Sequence, residues 1–199
     1  MHTKINALIE KIQRLEEELE AELTKRQADM SFTIQNQKII FEQEVIRRHK
    51  QFKTRLSTYT LGARPLMFIT APVIYALIVP FVLLDGMVTL YQWICFPVYG
   101  LEKVKRADYF IYDRHHLAYL NLLEKFNCAY CAYGNGLIAY VREVASRTEA
   151  YWCPIKHASR VHSPHARYRQ FIDYGDAERY HAYLEKIKEE LKAKQHEES

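Results

Sequence analysis

The sequence predicts a mainly α protein in three parts: a long N-terminal coiled-coil-like helix, a hydrophobic helical hairpin, and a small helical C-terminal Cys/His domain. Three observations predict it. Neither Pro nor Gly occurs before Gly62, residues 65–101 hold a single charge at Asp85, and cysteines and histidines recur at short spacing between 128 and 157. The boundaries fall at 1–62, 63–102 and 103–199. A net charge of +4 on 199 residues is too small to indicate a polyanionic partner by itself.

Residues 1–62 are rich in Glu, Leu, Lys, Gln, Arg and Ala, which predicts one unbroken amphipathic helix. Leu8, Leu19, Met30, Phe41 and Phe52 recur every eleven residues, and Ile12, Leu23, Ile34, Val45 and Leu56 repeat the step. An eleven-residue period keeps both rows on one stripe of a nearly straight helix. Ile5, Leu8, Ile12, Leu15 and Leu19 also fit heptads, so residues 5–56 are expected to self-associate into a homo-oligomer. The N-terminus is charged and periodic and is not expected to act as a cleavable signal.

Residues 65–101 would extend about 55 Å as one helix, well beyond a hydrocarbon core of about 30 Å. Pro72, Pro80 and Pro97 interrupt the run, and Asp85-Gly86 reads as a turn near its midpoint, with an acid buried in the membrane and carrying a role as the alternative. A membrane hairpin follows, Leu66 to Leu84 and Gly86 to Leu101, either re-entrant or as two short spans. Basic residues flank it on both sides: Arg47, Arg48, Lys50, Lys53, Arg55 and Arg64 before it, Lys103, Lys105, Arg106 and Arg114 after it. Both termini are therefore expected on the cytoplasmic face of the inner membrane, against anionic lipid.

Cys128 and Cys131 form C-x2-C, and Cys153 and His157 form C-x3-H after a gap of 21 residues. Two short-spaced pairs at such a distance suit tetrahedral zinc, with iron or an iron–sulfur cluster as the alternative. Helical spacing of Leu137, Tyr140, Val141 and Val144 between the pairs works against closure, because a helix there holds the pairs apart. A closed four-ligand shell implies a structural or scaffolding role. An open fourth position, with His157 not a ligand, implies a redox or metal-dependent enzyme built on Cys128, Cys131 and Cys153, so catalysis stays open. A redox-active dithiol at Cys128 and Cys131 and buried structural cysteines are the remaining readings.

Glu124, Glu143 and Glu149 are the candidate acceptors for a ligating imidazole. Asp113 suits the N-cap of a helix running toward Cys128. Residues 150–172 hold no acid, and Lys156, Arg160, Arg167 and Arg169 there suit lipid or phosphate contact, with nucleic acid the weaker possibility. From Asp176 to Lys194, Tyr180, Tyr183, Leu184, Ile187 and Leu191 share one face of a capped docking helix.

The block NCAYCAYGNGLIAYVREVASRTEAYWCPIKHA, residues 127–158, resembles an uncharacterised family of bacterial membrane-associated proteins sharing NCxYC, then NG, then RTExYWCPIKHA. The resemblance implies that these residues belong together and carries no activity.

Overall fold

A computed structural model describes residues 2–28, 32–35, 38–41, 43–55 and 65–197. The chain divides into two units, Met1–Thr60 with Asp113–Lys125, and Leu61–Tyr112 with Phe126–Ser199.

In the first unit the described residues form four elements where one unbroken helix is expected. Helix α1 runs His2–Ala28, strands β1 (Phe32–Gln35) and β2 (Lys38–Phe41) pair antiparallel, and helix α2 runs Gln43–Gln51. The strand residues FTIQ and KIIF are β-branched and aromatic and lie two residues apart, a hairpin spacing that outweighs the eleven-residue pattern. A seam over 5–56 is therefore not continuous. What persists is the stripe Leu8, Ile12, Leu15, Leu19 and Leu23 on α1, every member exposed. Met30 and Leu56, also in the eleven-residue series, lie outside the described residues.

The second unit begins with α3 (Pro65–Ala76) and α4 (Ile78–Tyr99), consecutive apolar helices separated at Leu77. Pro80 explains the break. It has no N–H to give to the carbonyl four residues back, that of Ala76, and its ring crowds that position. Asp85 and Gly86 lie inside α4, so the expected hairpin turn is absent, and Leu66–Tyr99 is a single apolar run of 34 residues. Gly100, at φ 71, ends α4 by donating its N–H to Phe96 and Pro97 carbonyls.

Helix α5 (Leu122–Trp152) lies along this run in the same direction. Tyr75 meets Tyr130, Gly134 abuts Phe81, Gln92 meets Tyr140 and Tyr99 stacks on Tyr151. Parallel neighbours need a long return, and residues 101–112 supply it by running back between the two helices. Glu102 lies by Arg147, Val104 by Gln92, and Phe110 by Tyr133. Phe96, Val104, Leu137, Tyr140 and Val144 form the core where these three segments meet.

The N-cap of α5 is Asn121 rather than Asp113. Asn121 Oδ1 accepts from the Glu124 N–H at 3.0 Å and Glu124 Oε2 accepts from the Asn121 N–H at 2.8 Å, a reciprocal capping box. Pro154 follows the C-terminus of α5 closely and excludes a further turn. The chain then loops out and returns to pair Ile155 with Ile172 through Lys156 N–H to Ile172 O and Ile172 N–H to Pro154 O. Helix α6 (Ala177–Glu197) starts at Asp176, whose carboxylate accepts from the Arg179 N–H as expected of an N-cap. Its Tyr183 hydroxyl donates to the Gln170 carbonyl at 3.0 Å, which docks it on the loop.

Candidate functional site

The residues expected to bind metal stand at opposite ends of α5. Cys128 and Cys131 occupy successive turns near its start, while Cys153 follows Trp152 at its end and His157 lies farther along the loop. At 1.5 Å per residue the helix separates Cys128 from its C-terminus by about 36 Å. One ion cannot take all four ligands from one chain. Among the described residues no group of three or more His, Cys, Asp or Glu side chains is placed to hold a metal. The single zinc site, its iron and iron–sulfur alternatives, and an enzyme uniting Cys128, Cys131 and Cys153 all lose their geometry for one reason: Leu137 to Val144 continue the helix without a bend.

The expected acceptors have other partners. Glu124 completes the capping box. Glu149 Oε2 lies 2.9 Å from His165 Nε2, and Glu143 is bound by Arg147 and Arg167, with the Arg167 guanidinium also donating to Ser146 Oγ at 2.9 Å. His157 instead stacks on Tyr168, whose hydroxyl accepts from the His157 N–H at 2.6 Å. These pairs fasten the 153–172 loop to the last turns of α5. Burial alone would raise the Glu143 carboxyl, but hydrogen bonds and charges from Arg167 and Arg147 outweigh it and hold the pKa to about 2.

A group with a depressed native pKa stabilises the fold above its unfolded value, here about 4.5, and loses that contribution as pH falls toward 2. Thermal unfolding followed from pH 7 to pH 2 should therefore show a decline beginning near pH 4.5 that Glu143→Gln flattens. An unchanged slope in the variant would remove Glu143 as its source.

Of the four basic residues expected to contact phosphate, Lys156 pairs with Asp173 at 2.8 Å and Arg167 with Glu143 at 2.7 Å. Arg160 lines an open groove of ≈ 410 Å³ with His157, Ser159 and Tyr174. Arg169 is exposed.

The arrangement that sequence reasoning missed is centred on Asp85. This acid lies on α4 amid apolar residues and is only 8% exposed. The Arg106 guanidinium from the return segment donates to its Oδ1, and the Tyr133 hydroxyl from α5 donates to its Oδ2 at 3.0 Å. Thr89 lies 3.4 Å away on the next turn. Arg106 also sits over the Phe110 ring, 4.3 Å from its centroid. The bond to Asp85 raises the Arg106 pKa above its already high value, so the cation persists at any ordinary pH. About two turns farther, Gln92 is fully engaged: its amide donates to Val104 O and Tyr140 Oη while its carbonyl accepts from Val104 N–H. The signal available in the sequence was the lone acid itself, since an acid in an apolar run needs a base, and the nearest bases follow at 103–106.

No protein-family model matches this chain, and no curated protein or solved structure is significantly similar to it.

Cysteine chemistry gives a direct check on the site geometry. Cys131 and Cys153 are exposed, Cys95 and Cys128 half-buried, and all four are free. Maleimide should label Cys153 in the folded protein, and a bifunctional reagent shorter than about 15 Å should fail to join Cys128 or Cys131 to Cys153 within one chain, given the helix between them. An intrachain product would restore the single-site arrangement.

Proposed function

We propose that this chain is a structural or scaffolding protein attached to the cytoplasmic membrane by Leu66–Tyr99 and self-associating through α1. One observation carries the reading. The apolar run presents its side chains outward along its length, with Ile69, Val73, Val79, Leu83, Met87, Ile94 and Val98 all more than half exposed. A contiguous apolar surface of this extent is unfavourable in water and ordinary in lipid. The run is long and apolar enough to cross a membrane, and at about 51 Å it overhangs a 30 Å core by about 20 Å.

Arg47, Arg48, Lys50, Lys53 and Arg55, which precede the run in the sequence, suit anionic headgroups. A helix that crosses once puts its flanks on opposite faces. The expectation of two cytoplasmic termini therefore loses the hairpin on which it rested, and the proposal is for attachment alone. The exposed stripe on α1 favours a second copy, because its apolar residues recur every three or four positions, the spacing of a coiled-coil seam.

Alkaline carbonate washing of membranes should leave the full-length chain in the pellet. Cross-linking in those membranes should yield oligomers that Leu15→Glu abolishes. Recovery in the wash would sink attachment, and oligomers indifferent to Leu15→Glu would sink self-association through α1.

A further inference from the structure

We propose that the groove beside the Asp85–Arg106 pair is a binding site for an anionic phospholipid, with Arg106 taking the headgroup phosphate and Val82, Leu90 and Trp93 the acyl chain. The inference rests on the membrane reading above. It deepens that reading by naming a site.

The groove has a volume of ≈ 510 Å³ and is lined by Val82, Asp85, Gly86, Thr89, Leu90, Trp93 and Arg106. Its two chemistries are segregated. Val82, Leu90 and Trp93 lie on the outward face of α4 and are substantially exposed, which gives an apolar wall continuous with the membrane-facing surface. The polar end is made by the charge pair, and its two members are not equally presented. The Asp85 side chain is 12% exposed and turned toward Tyr133 and Arg106, whereas that of Arg106 is 43% exposed. Both members line the groove, and the cation is the more accessible of the two.

A guanidinium held in place by a carboxylate on one side keeps N–H donors for a second partner, and its planar fork matches phosphate. Lys103 and Lys105 on the same return segment are offset by Glu102 and Asp108, so Arg106 is the cation that the groove presents. An uncharged ligand would use the apolar wall but not the cation, and a small free anion would use the cation but not the wall. A molecule joining phosphate to a hydrocarbon chain uses both.

Gly86 supplies a clean test. A Cβ built there meets nothing within 4 Å, so a side chain starts in open space on the groove lining. The full-length protein in neutral detergent is titrated with phosphatidylglycerol carrying brominated acyl chains, and quenching of Trp93 is read in a Trp152→Phe background. Phosphatidylcholine with the same chains and inorganic phosphate as competitor are the other arms. Quenching should favour phosphatidylglycerol, withstand inorganic phosphate, and weaken about tenfold in Arg106→Gln, the loss of one charge-assisted bond. Gly86→Leu should weaken it at least as much while leaving the circular dichroism spectrum unchanged.

Equal quenching by phosphatidylcholine, displacement by inorganic phosphate, or undiminished quenching in Gly86→Leu would each overturn the site. Carbonate resistance of Gly86→Leu separates the two claims: a variant that stays in the membrane while keeping its quenching defeats the site alone. Failure of the unaltered protein to remain in carbonate-washed membranes defeats the membrane reading beneath it.

Discussion

Arg106→Ala is expected to be the most damaging single substitution among the polar residues, with a loss of about 3 kcal/mol in unfolding free energy. Removing the base leaves Asp85 buried against apolar neighbours with, among the described residues, Tyr133 and Thr89 as hydrogen-bond donors. The estimate sits at the low end for a broken buried pair because Arg106 itself keeps access to its surroundings. Asp85→Asn should cost less, about 1 kcal/mol, since the freed guanidinium can turn outward while the amide still accepts from Tyr133. The double variant Asp85→Asn, Arg106→Ala should recover much of the Arg106→Ala loss, because no charge is then stranded. Denaturant unfolding of the four proteins in one detergent reads this directly. Equal losses from the two single changes, or simple additivity, would show that the pair is not coupled.

Gly136→Ala is the second large effect. Its Cβ would lie 2.6 Å from the Tyr109 carbonyl oxygen and 3.3 Å from Phe110 Cα, so only movement of the return segment's backbone could admit it. Overpacking of this kind costs about 1–3 kcal/mol. The other glycines on these helices set the scale. At Gly134 the new methyl would meet the edge of the Phe81 ring at 3.0 Å, a side chain that can yield. At Gly86 it would meet nothing, and the better helix propensity should stabilise by about 0.5–1 kcal/mol. The expected order of melting temperatures is Gly86→Ala highest, Gly134→Ala next and Gly136→Ala lowest. A Gly136 variant as stable as the Gly86 one would mean that residues 109–110 do not press on α5.

The helical class, the apolar run and the C-terminal docking helix with its Asp176 cap were all legible, because each depends on local periodicity and capping chemistry. The errors have a common origin. Asp85-Gly86 carries the composition of a turn, but Arg106 and Tyr133 satisfy the acid from 21 and 48 residues away, a pairing no window reveals. Cys128, Cys131, Cys153 and His157 have the spacing of a metal shell, yet spacing becomes geometry only through the backbone between, here one uninterrupted helix. The break after Ala28 was hidden because FTIQ and KIIF also fit the eleven-residue rows. Their β-branched and aromatic content was the competing signal.

The pairing of Asp85 with a residue made later bears on how the chain is born. A ribosome adds about 5–20 residues per second, so the acid precedes its base by about 1–4 seconds and the Tyr133 hydroxyl by longer. During that interval α4 has neither partner. Under the membrane attachment proposed above, the insertion machinery must hold the nascent helix until the sequence through Arg106 has emerged.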